Sequence, residues 1–225
     1  MVIACAAMNK TDVDDRSNVN MTGRARLIEA GLELFSERSY DKVSTSDIAS
    51  KAGVAHGLVF HHFGSKGGLF LEVLDALIAQ TDEAIGRAPR DGAIADVVRA
   101  WLARHVALIT THPTWLRMFI RGAPGLPAET AEIFEHRMRQ AGIRRLTALL
   151  GINEQPRPVL LLVLRAWVGF LDEAILACLD QPRAIRRGDL VEVLFEQLVL
   201  ALRQAKRIDP RIDLPLDELC ASPAS

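Results

Sequence analysis

Residues 44–63 read STSDIASKAGVAHGLVFHHF, and the way this stretch breaks into helices decides the fold. Ser44-Thr45-Ser46-Asp47 has the form of a capping box, a hydroxyl followed three residues later by a carboxylate, so a helix starts there. It is brief. Ile48 and Ala49 face inward, and Gly53 closes it. A three-residue connection, Gly53-Val54-Ala55, leads into a second short segment, Ala55 to His62. Gly64-Ser65-Lys66 breaks the chain again, and a longer helix follows from about Gly67 to Ala84. Upstream, Leu27, Ile28, Gly31, Leu34 and Phe35 share one face of a helix that starts near Thr22 and stops near Arg38. Two short helices joined by a tight glycine turn and braced on both sides have the geometry of a helix-turn-helix. A generic small helical bundle fits the same pattern.

Charge tips the balance. The whole chain of 225 residues carries a formal net charge of −1, so any basic surface is local. Yet no Asp or Glu occurs from Ile48 to Leu71, while Lys51, His56, His61, His62 and Lys66 do. A surface kept clear of phosphate repulsion has this composition.

The residue order from Arg26 to Leu71 resembles the DNA-binding domain of TetR-family repressors. The matching words are Leu34-Phe35, Ser44 to Ala49, Ala52-Gly53-Val54, Phe60-His61-His62-Phe63, Ser65-Lys66 and Leu69. The resemblance implies an all-α fold: an N-terminal three-helix DNA-binding domain and a larger C-terminal helical domain for ligand binding and dimerisation. It makes Ala55 to His62 the recognition helix. Ser46, His56, Gly57 and Leu58 would face base edges, and Thr45, Phe60, His61, His62 and Lys66 would lie near phosphates. Thr45 and Lys66 each begin a helix, where backbone N–H groups favour an anion. Phe60 stands where the family usually has tyrosine, which removes one phosphate hydrogen bond. Leu58 offers only apolar contact, so DNA shape carries part of the sequence preference. Phe63, Ile48, Ala49 and Val54 read as core. Adjacent His61 and His62 point in different directions and have no carboxylate or thiol beside them, so no metal is expected.

The domain boundaries follow: an arm over residues 1–21, the helix-turn-helix domain over 22–68, the helical effector and dimerisation domain over 69–208, and a loose tail over 209–225. The arm lacks periodicity, and its acidic balance argues against a DNA role. The apolar fraction is 49% and the charged fraction 24%, as expected of a globular protein with a sizeable core. Cys5, Cys178 and Cys220 are widely spaced and odd in number, which favours a reducing cytoplasm over a disulfide scaffold. The opening MVIACAAM has no positive charge before it and does not read as a signal peptide. The long apolar run Val159 to Leu179 contains Arg165, Asp172 and Glu173, so a buried helix is expected rather than a membrane span.

In the C-terminal part, Trp101, His105, Trp115, Met118, Phe119, Phe134, Met138, Trp167 and Phe170 sit at core-facing positions. Such side chains line cores and apolar pockets alike, and an effector pocket among them is what the resemblance implies. His105 beside Trp101 is the polar handle or a satisfied core histidine. Val159 to Leu179 and Asp189 to Ala205 are apolar on more than one face, which asks for partners on all sides. Leu160, Leu164, Leu171, Ile175, Leu194, Leu198 and Leu202 are the expected dimerisation residues. Arg165, Asp172 and Glu173 read as salt-bridge partners at a helix interface.

Ser-His-Asp order, H-E-x-x-H, P-loop and G-x-G-x-x-G are all missing, so neither an enzyme nor a cofactor is expected. The expected protein is a homodimeric repressor. Double-stranded DNA with an inverted-repeat operator and a small, largely apolar effector are its partners. A helical scaffold that no longer binds DNA is the alternative.

Overall fold

The computed structural model describes residues 22–86, 92–152, 155–181 and 185–220. The expected arm over 1–21, the break around Arg87 to Pro89 and the last five residues lie outside them. The described residues form ten α-helices and one 3-10 turn, with no strand among them.

Helix α1 (Gly23–Glu37) begins where the Ala25 N–H donates to the Thr22 hydroxyl at 3.3 Å. Its buried stripe is Leu27, Ala30, Gly31, Leu34 and Phe35. A 3-10 turn (Tyr40–Lys42) leads to α2 (Thr45–Lys51) and α3 (Gly57–Phe63). The capping box forms in both directions: the Asp47 N–H donates to the Ser44 hydroxyl, and the Ser44 N–H to the Asp47 carboxylate, each at 3.0 Å. Gly53 (φ +63°) and Gly64 (φ +72°) turn the chain after α2 and α3 with backbone that L side chains rarely adopt.

Helix α4 (Lys66–Gly86) crosses α1 at Gly31, where an added Cβ would lie 2.6 Å from Val73 Cγ2. Only glycine allows that approach. At about 1.5 Å per residue α4 spans roughly 30 Å. The boundary expected at residue 68 therefore falls inside a continuous helix. Its first half, through Leu69, Phe70, Val73 and Leu74, belongs to the N-terminal core. Ile85, near its end, belongs to the C-terminal core.

The rest is α5 (Ile94–Ile109), α6 (Pro113–Arg121), α7 (Ala128–Leu149), α8 (Pro158–Asp180), α9 (Arg187–Ile208) and α10 (Leu216–Cys220). Helix α6 is divided between the cores. Trp115, Met118 and Phe119 join the N-terminal cluster and Leu116 joins the other.

Two expectations are corrected here. Leu160, Leu164, Leu171, Ile175, Leu194, Leu198 and Leu202 are buried in the chain's own core, because α8 and α9 pack on each other and on α5, α6 and α7. The outward apolar side chains are Leu162, Phe170, Val193 and Leu200. A helix apolar on several faces does not reveal in sequence which face turns inward. Residues Asp209 to Cys220 of the expected loose tail are packed. Ile212 and Leu219 are buried, and α10 rests on α9 and α5. Hydrogen bonds from Arg157 and Arg211 hold the Asp209 carboxyl down at about 2 and fix the turn into this segment.

Candidate nucleic-acid interface and buried cavity

Helices α2 and α3 are joined at their N-terminal ends. Thr45 Oγ1 and His56 Nε2 lie 2.8 Å apart, and the His56 ring meets Phe60 edge-on at 5.3 Å. Ser46, His56, Gly57, Phe60, His61 and His62 are exposed, and Thr45 is half-buried. An added Cβ at Gly57 would meet nothing within 4 Å. Val59 is the buried anchor of α3. The outer face of α3 is therefore free of acids and open, and the Asp47 carboxylate at the start of α2 is spent on its cap. Hydrogen bonds from Ser44 hold that carboxyl below its usual range.

Two residues expected at this surface are placed elsewhere. Leu58 is half-buried and packs beside the start of α1, with Cδ1 3.8 Å from where a Cβ on Gly23 would sit. The Lys66 ammonium turns inward, donating to the Tyr40 carbonyl at 2.5 Å and lying 3.9 Å from the Tyr40 ring centroid. Burial pushes its pKa down. It ties α4 to the 3-10 turn, a long-range contact that the sequence does not display. Sequence reasoning passed over Arg24, which pairs with Glu72 at 2.6 Å and lies over the Phe63 ring at 5.5 Å. Lys51 pairs with Glu33 at 2.6 Å.

Fourteen residues beyond the end of α3, at Leu77, a second feature begins. Five helices, α4 to α8, enclose a cavity of about 60 Å³. Of the nine residues expected in a pocket, Trp101, His105, Trp115, Phe119, Met138 and Trp167 line it. Met118 and Phe134 are buried in the N-terminal core instead, and Phe170 points outward, 41% exposed. Helical periodicity alone does not separate these fates. Thr81, Gly142, Arg145 and Asp172 also line the cavity and were not expected there.

His105 is buried and stacked on Trp101, with ring centroids 5.1 Å apart, and its Nδ1 has no hydrogen-bond partner. Burial, reinforced by the Arg145 charge, pushes its pKa down to about 3, so the ring is neutral at pH 7. Asp172 was read as an interface salt-bridge residue. It faces the cavity instead, and burial pushes its carboxyl up to about 7 against the opposing pull of Arg139 and Arg145. Arg145 is held by the Asp82 carboxylate and donates to the Ile78 carbonyl at 3.3 Å. Arg165 and Glu173 are exposed on α8.

The family described as bacterial regulatory proteins, tetR family, matches residues 27–73. The HTH-type transcriptional repressor Rv3405c of Mycobacterium tuberculosis is 40% identical over 88 residues, which are 37% of this chain and 45% of that protein. The HTH-type transcriptional regulator YvdT of Bacillus subtilis is 38% identical over 63 residues, 28% of this chain and 32% of that one. The chain thus matches less than half the length of these relatives. Across nearly the whole fold, a tetR-family transcriptional regulator from Streptomyces coelicolor superposes with a TM-score of 0.68 at 26% identity, covering 88% of this chain and 86% of that one. The matched segment is the helix-turn-helix with its bracing helices, and the whole-chain superposition extends to the cavity-bearing bundle; residues 27–73 form a DNA-binding domain of the tetR family of bacterial regulatory proteins, and the chain shares the fold of a tetR-family transcriptional regulator.

Proposed function

We propose that the chain is a repressor that binds an inverted-repeat operator as a homodimer and is released by a small, largely apolar effector held in the α4–α8 cavity. The observation that carries this reading is the placement of α4. One end packs against α3 and is tied to the 3-10 turn by the Lys66–Tyr40 contact, and further along Leu77, Ile78 and Thr81 form a wall of the cavity. A ligand that needs the cavity wider displaces α4, and α3 rides on α4. Such a ligand acts only through its differential affinity for the two arrangements. A cavity of about 60 Å³ is well below the roughly 300 Å³ and more of ordinary ligand sites, so binding and opening go together.

Ser46, His56 and Gly57 form the reading face, with Thr45, Phe60, His61 and His62 beside it for phosphates. The half-buried Leu58 and the inward Lys66 contribute by bracing. The dimer surface is the outward face of α8 and α9. On α8, Leu162, Ala166, Phe170 and Ala177 recur at helical spacing and are exposed, and Val193 and Leu200 do the same on α9. An exposed apolar stripe rimmed by charge is the mark of an association surface. No described helix is long and apolar enough to cross a membrane, and a cytoplasmic, DNA-associated location fits this reading.

The test is selection of bound fragments from the organism's own genome, followed by fluorescence-anisotropy titration of the winners. The reading expects salt-sensitive, sequence-specific binding and its reversal by a cavity ligand. Salt-insensitive or sequence-indifferent behaviour contradicts it.

A further inference from the structure

All three tryptophans of the chain, Trp101, Trp115 and Trp167, line the same cavity, together with Phe119. The polar groups among them are mostly acceptors. Asp172 makes no ion pair among the described residues. His105 is neutral and buried and offers an unpaired ring nitrogen. The Thr81 hydroxyl donates to the Leu77 carbonyl at 2.7 Å, which leaves its oxygen able to accept. The cations are already engaged: Arg145 by Asp82 and the Ile78 carbonyl, and Arg139 over the Phe119 ring at 5.2 Å. The remaining ionisable group at the wall, His112, is exposed.

An anion entering here meets indole faces and a carboxyl group, and must break the Arg145–Asp82 pair to find a cation. An ammonium group meets π-faces that attract cations, a carboxylate partner, the Thr81 hydroxyl oxygen and, with the ring proton on Nε2, the His105 Nδ1. We infer that the cavity selects a small lipophilic ammonium compound, an aryl or alkyl amine, with Asp172 as its counter-ion and the tryptophans as its walls. This assignment rests on the effector reading above and names the ligand class of that site. Binding leaves the ammonium paired with the ionised Asp172 carboxylate inside, any proton on that carboxyl passing to solvent, while the apolar body of the ligand fills the space between the indoles.

Because every tryptophan lies at the cavity, intrinsic emission reports occupancy directly. The experiment titrates the full chain at neutral pH with three probes of similar size: 2-phenylethylamine, 2-phenylethanol and phenylacetate. The amine is expected to bind about tenfold or more tightly than the alcohol, and phenylacetate more weakly than either. In Asp172→Asn the amine should fall to within about threefold of the alcohol, with alcohol binding retained as proof of an intact cavity. A preference for phenylacetate, an amine preference that survives Asp172→Asn, or no emission change with any probe overturns the assignment. Release of operator DNA by a carboxylate ligand would overturn it too, yet would leave the repressor reading standing. Failure of sequence-specific DNA binding would instead remove that reading while the probe ranking could still hold.

Discussion

The helix-turn-helix is fixed by residues adjacent in the chain, whereas the cavity is assembled from five helices spread over residues 77–172. In the first region a capping box, two glycines at positive φ and one buried anchor, Val59, set the geometry within twenty residues. In the second, no short-range pattern fixes anything. Trp101 on α5 shares a space with Trp167 and Asp172 on α8 only because the folded bundle brings them to one cavity. Local rules hold a surface that must present the same shape to every operator half-site. Tertiary packing holds a space that can adapt to a ligand. The family match falls on residues 27–73, which hold the first region and stop before the cavity-lining residues begin at Leu77.

The largest effect should come from attacking the seam between the regions. Phe35 is fully buried and touches the rings of Tyr40, Phe70 and Trp115. Phe35→Ala should cost about 3–5 kcal/mol of stability, read by chemical denaturation. If α4 couples the halves, DNA binding and tryptophan emission are lost in one transition. Two separated transitions would show the regions to be independent.

Next comes the outward stripe. Phe170→Glu places a charge on the proposed dimer face without touching either core. It should weaken self-association by about 2 kcal/mol or more, read by sedimentation, and reduce operator affinity in step. An unchanged dimer would move the interface elsewhere.

A third test separates the regions by pH. His105, with its pKa depressed to about 3, must stay neutral in the fold while the unfolded chain takes up a proton. Its contribution to stability is therefore complete above about pH 6.5 and falls away as pH drops toward 3. Asp172 has the opposite sign. Its raised pKa, about 7, favours the fold below the unfolded value near 4, and that advantage is lost as pH rises through 7. Arg139 and Arg145 face it from α7 and temper the rise. Asp172→Asn should remove the decline between pH 5 and 7, and His105→Phe should remove the acid-side loss. Denaturation midpoints across that range check both, and pH curves identical to the parent would refute the buried placement of these two groups.

How much of this was legible in the sequence follows the same division. Ser44, Asp47, Gly53 and Gly64 announce their own geometry, so the short helices and their turn were readable, as were the long helices to within a residue or three at each end. The inward turn of Lys66 was not, because Tyr40 lies 26 residues away and only the folded 3-10 turn brings its carbonyl into reach. Met118 and Phe134 look like Trp101 and Trp167 in any periodicity count, yet the first pair fills the N-terminal core and the second borders the cavity. Leu160 and Leu162 differ by two positions and face opposite ways, a choice made by α5 and α9 rather than by α8 itself. Asp172 read as a surface partner because an acidic residue in an apolar run has two explanations, and only packing distinguishes them.

The smallest effect probes the phosphate edge of the reading face. Phe60 is 48% exposed on α3. Phe60→Tyr adds a hydroxyl toward the phosphates and should raise operator affinity by about 1 kcal/mol, roughly fivefold, with stability unchanged. Equal affinity in a side-by-side anisotropy titration would mean that this side chain does not approach the backbone.

The most direct test of the central claim is a hydroxyl-radical footprint on a genome-selected fragment. Two protected half-sites related by two-fold symmetry, about 34–36 Å or a multiple apart, are predicted, and both should vanish together when Val59→Asp removes the anchor of α3. Uniform cleavage along the fragment, or protection that survives this substitution, would contradict the assignment of α2 and α3 to DNA.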